Sequence, residues 1–500
     1  MNKPYSINPV TRAQYTIPHV IDDRDNIDAF LAKFSGRKVV VVQGLGFVGA
    51  VMALVCANAH GGEYAVIGVD LPAPSTYWKI CEINAGRFPV RSSDPKVDLY
   101  FEKAMRQGNL YATCDPYAYS RADVVIVDVN LDVDKVNGSR NELLGYDVDL
   151  DGFRKAIGAI GGHCRHDALV LVESTVPPGT CLKLVVPTLR QELEARGLPT
   201  DQILVGHSYE RVMPGPDYID SIQNFYRVYA GVDQASADAT EAFLRTIIST
   251  EKYPLTRLGN TNATEMAKVL ENAYRAMNIA FMVEWSRFAE EAGVNLYEVV
   301  NAIRLRPTHS NIMFPGVGVG GYCLTKDALM ASWARQHMFG GKEPLAQSEQ
   351  GIATNDLMPW YAFEFIQRHT PVKDKKVLLL GVSYRGDVAD TRFSPVGYLY
   401  RFLHEAGASI SLHDPYVDHW EEMDMNVTGN LEEVLTGDID IMVFSTMHGM
   451  YRNDKALYRF LEQHPHVWVF DTLGIMPEET IQHAENKRIR VLGRGDLRGR

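Results

Sequence analysis

Five hundred residues, 46% of them hydrophobic and 22% charged, describe an ordinary globular chain with room for about three domains and a large core. The net charge of −12 argues against a nucleic-acid or anionic-membrane partner, so a phosphate-bearing ligand must be held by local donors. Six cysteines scattered without C-x-x-C spacing and fifteen histidines without H-E-x-x-H spacing give no sign of a disulfide framework or a metal site, and with no secretory-leader pattern at the start a reducing, cytoplasmic setting is expected.

Residues 1–36 read as an N-terminal extension. Val39–Ala59 is almost wholly apolar over about the length of a membrane span, yet Gln43, three glycines and the valine run Val39–Val42 fit a buried strand, a turn and a helix better, and no membrane insertion is expected. Short β-branched runs then alternate with helix-period segments. They predict strands at Lys38–Gln43, Ala65–Asp70, Val124–Val129, Ala168–Glu173 and Ile203–Gly206, in a parallel sheet covered by helices.

Gly44-Leu-Gly46-Phe47-Val48-Gly49 follows the first strand and opens a helical segment, and Asp70 ends the next strand. That is a dinucleotide fingerprint in its required context. The glycines allow the turn and the approach of a pyrophosphate, the helix N-terminus receives its charge, and Asp70 accepts from both ribose hydroxyls, which favours NAD over NADP. A tight turn serving another ligand is the competing reading. Thr175 follows a later strand, in Glu-Ser-Thr-Val-Pro-Pro-Gly, and is placed either to bond a cofactor or water or to form a proline-stiffened turn. After the next strand, Glu210 offers a general base and Arg211 a grip on phosphate or carboxylate, against the bland alternative of a surface ion pair.

Between Asn262 and Gly293 apolar residues recur every three to four positions, at Met266, Leu270, Ala273, Met277, Phe281, Trp285 and Phe288. Asn262 with Glu265 gives a capping signal and Gly293 a stop. So long a helix is expected to act as a spine between domains and as part of a subunit interface. Lys268 and Asn272 share one of its faces and can donate together to an alkoxide or oxyanion, although most such pairs are merely solvated. Gly318-Val-Gly-Gly-Tyr-Cys323-Leu-Thr-Lys326-Asp327 then places a thiol at the end of a glycine-rich loop, with charged residues one helical turn later. A nucleophile is favoured there over an inert buried cysteine. A second β/α series begins at Lys376 and predicts strands at Val377–Gly381, Ser409–His413, Ile439–Phe444 and Val467–Phe470. The fold class expected is α/β, with two Rossmann-like domains joined by a helical middle that contains one long helix. The divisions are an extension at 1–36, a dinucleotide domain at 37–240, a central helical domain at 241–365 and a C-terminal Rossmann-like domain at 366–500.

In this order the motifs resemble those of the UDP-glucose/GDP-mannose dehydrogenase family over about residues 38–480, the glycine–cysteine–Lys-Asp block being the most specific element. The resemblance implies oxidation of the C6 alcohol of a UDP-sugar to a uronic acid with two NAD+, for polysaccharide biosynthesis. It implies Cys323 as nucleophile, with Lys268, Asn272 and Asp327 around the reacting oxygen, Glu210 as base and Thr175 as a water or cofactor contact. It adds Lys326 and Arg392 beside the cofactor, and Arg211, Phe314, Gly318 and Arg385 to the substrate contacts; Arg385 stands where many members have lysine. A homodimer or higher homo-oligomer is expected. The chain departs from the family pattern at Asn130-Leu-Asp132, where a Thr-Pro turn is usual, at Tyr209, where proline is common, and at Thr472, where UDP-glucose enzymes carry arginine. The Glu-Arg-Val-x-Pro-Gly wording and the Tyr-Arg form of the C-terminal block lean toward the branch acting on UDP-N-acetylglucosamine or UDP-N-acetylmannosamine. The alternatives are a UDP-glucose 6-dehydrogenase, a two-electron hydroxyacid or sugar-phosphate dehydrogenase, which needs neither the cysteine nor a second Rossmann unit, and a non-catalytic nucleotide-sugar binding protein.

Overall fold

A computed structural model of the chain describes residues 4–90, 92–212, 215–483 and 488–499. It divides into two compact units. The first comprises Met1–Asp132, Val148–Val269 and Ala334–Gly341; the second comprises Val133–Asp147, Leu270–Trp333 and Lys342–Arg500.

The first unit is built on an eight-stranded sheet, in the spatial order Thr256–Arg257, Val228–Gly231, Leu204–His207, Leu169–Val172, Val124–Val127, Lys38–Gln43, Tyr64–Val69, Leu110–Thr113. Neighbours are parallel except Leu204–His207 against Val228–Gly231. Strand order reverses between Lys38–Gln43 and Val124–Val127, and this switch point is where open α/β sheets bind ligands. The strands are continuous apolar runs because both faces are covered. Val40, Val42, Val66 and Ile126 pack against the helix Phe47–Ala57, which is buried from Gly49 onward. The apolar stretch 39–59 is therefore a strand, a turn and a core helix, and among the described residues no helix is long and apolar enough to cross a membrane.

The second unit holds a five-stranded, wholly parallel sheet in the order Ser409–His413, Lys376–Leu380, Ile441–Phe444, Trp468–Asp471, Ile489–Val491. Successive residues of Lys376–Leu380 serve opposite faces: Val377 and Leu379 join Val396, Leu399 and Phe402, while Leu378 and Leu380 join Phe444, Leu457 and Phe460. Truncating one of these fully buried leucines to alanine costs about 2–5 kcal/mol.

Most predicted strands match within two residues. Three features differ from expectation. The hairpin Asp134–Asn137 with Leu143–Asp147 had no predicted counterpart, and although its sequence interrupts the first unit it belongs to the second. There Lys135 Nζ meets Asp356 Oδ2 at 2.7 Å, Asn141 Nδ2 donates to the Asp356 carbonyl at 2.7 Å, and Tyr146 bonds Glu349. The long helix runs Thr261–Ala292 and stops at Gly293 (φ +71°), but its cap is not the expected one. Asn260 Oδ1 accepts from Ala263 N at 3.0 Å, while Glu265, fully buried, accepts from the amides of Gly179 (2.6 Å) and Cys181 (2.8 Å). Glu265 caps another helix, the one entered through Cys181–Val185, rather than its own. Finally, the extension is part of the first unit, as a hairpin of Tyr5–Ile7 with Gln14–Thr16 and a helix at Arg24–Ala32.

Candidate active site

In the first unit the chemistry-bearing residues gather at the carboxyl ends of the sheet strands. Gly44, directly after Lys38–Gln43, has φ +94°, and a Cβ on it would lie 2.3 Å from the Asp128 carbonyl oxygen. A Cβ on Gly49 would lie 1.9 Å from the carbonyl oxygen of Gly44. Both glycines are required by the fold itself, which could not close around a side chain. Gly46 is different: among the described residues nothing lies within 4 Å of its missing Cβ. Its bareness leaves an open cradle at the N-terminus of Phe47–Ala57, where amides and helix dipole favour a pyrophosphate. Phe47 is exposed and Val48 half-buried beside it.

Asp70, half-buried, accepts from Leu45 N through Oδ2 (3.0 Å) and from Leu71 N through Oδ1 (2.8 Å), with Lys79 Nζ 3.7 Å away. The side chain is 9% exposed, and one amide on each oxygen leaves carboxylate lone pairs unfilled, as acceptance from ribose hydroxyls requires. The open cradle and the open carboxylate together fit NAD.

Next in the crevice, Ser174 Oγ accepts from Val129 N at 2.9 Å and donates to the Val127 carbonyl at 3.1 Å, joining two strand ends just before half-buried Thr175. Glu173 is fully buried and paired with Arg227 at 2.7 Å. Its carboxyl is nonetheless held above the usual range, because burial outweighs the guanidinium. Asp128 is raised further, by burial and then by Glu173 and Glu210, and its Oδ2 has no hydrogen-bond partner among the described residues. His207 is buried against Thr264 Oγ1 at 2.7 Å and pushed down to about 3 by burial, so its imidazole is neutral at physiological pH.

Glu210 is buried, and its Oε2 accepts from Val212 N. Lys268 Nζ donates to the Glu210 carbonyl at 2.9 Å and lies 3.5 Å from Oε1. The ammonium also sits over the ring of Tyr209 (5.3 Å), and the Arg211 guanidinium lies by the rings of Tyr209 (5.6 Å) and Phe225 (5.5 Å). The aromatic residue that replaces a proline therefore holds two cations by ring electrostatics. Met213 and Pro214, which complete that motif, lie outside the described residues.

In the second unit, Cys323 occupies a turn immediately before the helix Asp327–His337, and its carbonyl accepts from Lys326 N (3.3 Å) and Asp327 N (3.0 Å). Asp327, fully buried, accepts from Asn272 Nδ2 at 2.7 Å and from Lys326 Nζ at 3.0 Å. A carboxylate thus locks an amide and an ammonium around the thiol turn. The loop's glycines are explained by what presses on them. A Cβ on Gly320 would lie 2.5 Å from the Tyr384 Cβ, one on Gly321 (φ +80°) 2.8 Å from the Tyr384 ring, and one on Gly318 3.0 Å from Pro395. Gly321 N also donates to the Arg392 carbonyl at 3.0 Å.

The cysteine loop is in this way fastened to the first turn of the C-terminal sheet, which borders a cavity of about 350 Å³ lined by Val317, Gly318, Tyr384, Arg385, Thr446 and Leu473, among others. It lies at the switch point between Lys376–Leu380 and Ile441–Phe444. Arg385 is exposed on its rim. The Arg392 guanidinium is turned to Asp390 (Nε–Oδ1 2.9 Å), and Phe314 is stacked on Tyr297 (centroids 5.3 Å apart) beneath Arg304. Asp471 accepts from Leu473 N (3.0 Å) and Met476 N (2.8 Å), a turn that places Leu473 at the cavity, while Thr472 is fully buried and donates to the Phe444 carbonyl at 2.7 Å. Sequence reading missed Asp128, the Glu173–Arg227 pair and the cavity residues Tyr384, Thr446 and Leu473. Asp128, Glu173, Thr446 and Leu473 follow the carboxyl end of a strand, which is the available signal.

Three models of the UDP-glucose/GDP-mannose dehydrogenase family match: the NAD binding domain over residues 38–248, the central domain over 262–350 and the UDP binding domain over 378–478. The chain is 29% identical over 462 residues to UDP-N-acetyl-D-mannosamine dehydrogenase of Methanocaldococcus jannaschii, covering 92% of this chain and 97% of that one. It is 26% identical to NDP-N-acetyl-D-galactosaminuronic acid dehydrogenase of Ralstonia nicotianae, over 83% and 92% of the two chains. The solved structure of UDP-D-ManNAc dehydrogenase from Pyrococcus horikoshii superposes with a TM-score of 0.74 at 27% identity, covering 92% of this chain and all of that one.

Proposed function

Because the chain belongs to the UDP-glucose/GDP-mannose dehydrogenase family and is an NAD-dependent UDP-sugar dehydrogenase, we propose that it oxidises C6 of a UDP-N-acetylhexosamine through two steps to the uronic acid. The observation that carries this reading is the thiol turn, where Asp327 bonds both Asn272 and Lys326 beside Cys323. A two-electron dehydrogenase has no use for it.

NAD, when bound, takes up the hydride that C6 loses at each oxidation. Gly44, Gly46, Phe47, Val48 and Gly49 hold its pyrophosphate, Asp70 its ribose hydroxyls, and Thr175, Lys326 and Arg392 contact it further along. In the first oxidation Lys268 and Asn272 donate to the C6 oxygen as its proton passes to the Glu210 carboxylate and on to solvent, giving the aldehyde. The Cys323 sulfur then bonds to the aldehyde carbon, and the former carbonyl oxygen passes through an oxyanion held by the same two donors. Loss of the second hydride leaves a thioester. Glu210 draws a proton from a water that Thr175 helps to position; that water adds to the thioester carbon, and the sulfur leaves as thiolate. Arg385 and Arg211 hold the nucleotide diphosphate, with Gly318 and Phe314 completing the substrate contacts.

The N-acetylhexosamine is preferred because Thr472 stands where an arginine would favour UDP-glucose, and because relatives carry that substrate in their names. We read 37–240 as the NAD-binding domain, 241–365 as the central domain and 366–500 as the UDP-sugar domain, of a cytoplasmic enzyme feeding polysaccharide synthesis. The apolar residues Met266, Leu270, Tyr274, Phe281, Trp285 and Phe288 are exposed along one helix, a stripe suited to a second copy of the chain. Light scattering on the native protein and on Trp285→Asp tests this, with dimer expected for the first and monomer for the second.

The substrate reading is tested by NADH formed per sugar across UDP-N-acetylmannosamine, UDP-N-acetylglucosamine and UDP-glucose. Two NADH per sugar are expected, with an N-acetylhexosamine turned over fastest. One NADH per sugar would sink the thioester route. Tight UDP-sugar binding without turnover would leave a binding protein, and preference for UDP-glucose would overturn the branch assignment.

A further inference from the structure

The family's models begin at residue 38, yet the residues before it are woven into the first unit beside the acid that ends Tyr64–Val69. Ser6 is fully buried; its Oγ donates to the Pro74 carbonyl at 2.7 Å and accepts from Trp78 N at 2.9 Å. Those two partners flank the start of the helix Tyr77–Asn84, immediately after the Asp70 loop. One turn further along that helix, Glu82 (3% exposed) accepts from Asn8 Nδ2 at 2.9 Å and Tyr15 Oη at 2.6 Å, and pairs with Arg87. On the other side, the Asp23 carboxylate accepts from Tyr111 Oη (2.8 Å) and Thr113 Oγ1 (2.7 Å), and its amide donates to Asp115 Oδ2 (2.7 Å). Tyr111 and Thr113 lie on the strand paired with Tyr64–Val69.

The loop so enclosed, Leu71–Thr76, is the one Asp70 opens. Thr76 Oγ1 donates back to the Leu71 carbonyl at 2.6 Å, and Lys79 from the braced helix lies 3.7 Å from Asp70 Oδ2. Polar bonds from a segment far away in sequence therefore fix both sides of the ribose acceptor. A loop held in place before binding loses less freedom on binding. We propose that the N-terminal segment is a brace for the adenosine end of the NAD site, with Ser6 and Tyr15 as positioning residues that set NAD affinity. The proposal rests on the reading of Asp70 as the ribose acceptor.

Calorimetric titration of the full-length chain with NAD and, separately, with UDP tests both. Ser6→Ala and Tyr15→Phe are each expected to raise the Kd for NAD about three- to tenfold, the worth of one hydrogen bond, and to leave the Kd for UDP unchanged. An unchanged NAD Kd in both variants, or equal weakening of NAD and UDP, would overturn the brace. Asp70→Ala separates the two layers. If it keeps NAD affinity, the ribose reading itself falls. If it loses affinity while Ser6→Ala and Tyr15→Phe do not, only the brace falls.

Discussion

The two sheets repeat one device and put it to different uses. Each has a glycine with left-handed φ after the strand at its switch point, Gly44 at +94° and Gly381 at +97°, and each has an aspartate just beyond the adjoining strand, Asp70 and Asp414. In each, the aspartate accepts from the amide after the glycine, Leu45 at 3.0 Å and Val382 at 2.9 Å. They part at the remaining lone pairs. The Asp70 side chain is 9% exposed and takes one amide on each oxygen, which leaves acceptor capacity unfilled. Asp414 is fully buried and also receives Ser383 N (3.1 Å), Ser383 Oγ (3.1 Å), Tyr416 N (2.9 Å) and His448 Nε2 (3.0 Å). Burial works against its charge, but these donors prevail and hold its carboxyl below the ordinary range. Two copies of a Rossmann turn thus differ in whether the acid keeps unfilled lone pairs or has them consumed by the protein.

The comparison can be broken or sharpened by substitution. The largest effect is expected at the thiol turn of the second unit: Cys323→Ala should lower turnover roughly a thousandfold or more while the Kd values for NAD and UDP stay as in the native protein. Arg385→Ala should raise the Kd for UDP about 10- to 100-fold, the loss of charge-assisted bonds, with NAD unaffected. The paired aspartates give the most direct contrast. Asp70→Ala should weaken NAD about tenfold and, with fewer buried donors stranded, lower the melting temperature less than loss of the other acid does. Asp414→Ala should instead lower the melting temperature by about 2–10 °C without touching NAD, because it strands several buried donors. The reverse pattern would overturn the assignment of the two acids.

The smallest effect concerns pH. Burial pushes the Glu265 carboxyl up to about 7, against the pull of the Cys181 and Gly179 amides. The native state therefore binds this proton more tightly than the unfolded chain does. The stabilisation this gives is full below about pH 4.5 and is lost as pH rises through about 7. Glu265→Gln does not titrate, so its melting-temperature deficit relative to the native protein should shrink between pH 5 and pH 8. A deficit that widens over that range would refute the assignment.

Much of this was legible along the chain. Runs such as Val39–Val42 and Val377–Leu380 declare buried strands, because side chains on both faces of a parallel sheet must be apolar. Gly44, Gly46, Gly49 and Asp70 are recognisable by spacing, since turn, helix start and strand end are local events. The Cys323 loop stood out for the same reason. What stayed hidden depends on partners distant in sequence. Glu265 has the spacing of a capping box, yet its carboxylate serves the amides at Gly179 and Cys181. The hairpin Asp134–Asp147 looks like a connection within the first unit but folds with the second through Asp356 and Glu349.

The sequence by itself determined the two α/β halves, the dinucleotide turn and the thiol loop, because periodicity and glycine placement act over a few residues. Only the tertiary structure decided which aspartate stays open, which carboxylate caps which helix, and that residues 4–36 embrace the Asp70 loop. Those outcomes turn on desolvation and on the filling of lone pairs, and both are properties of a packed neighbourhood that no short stretch of sequence contains.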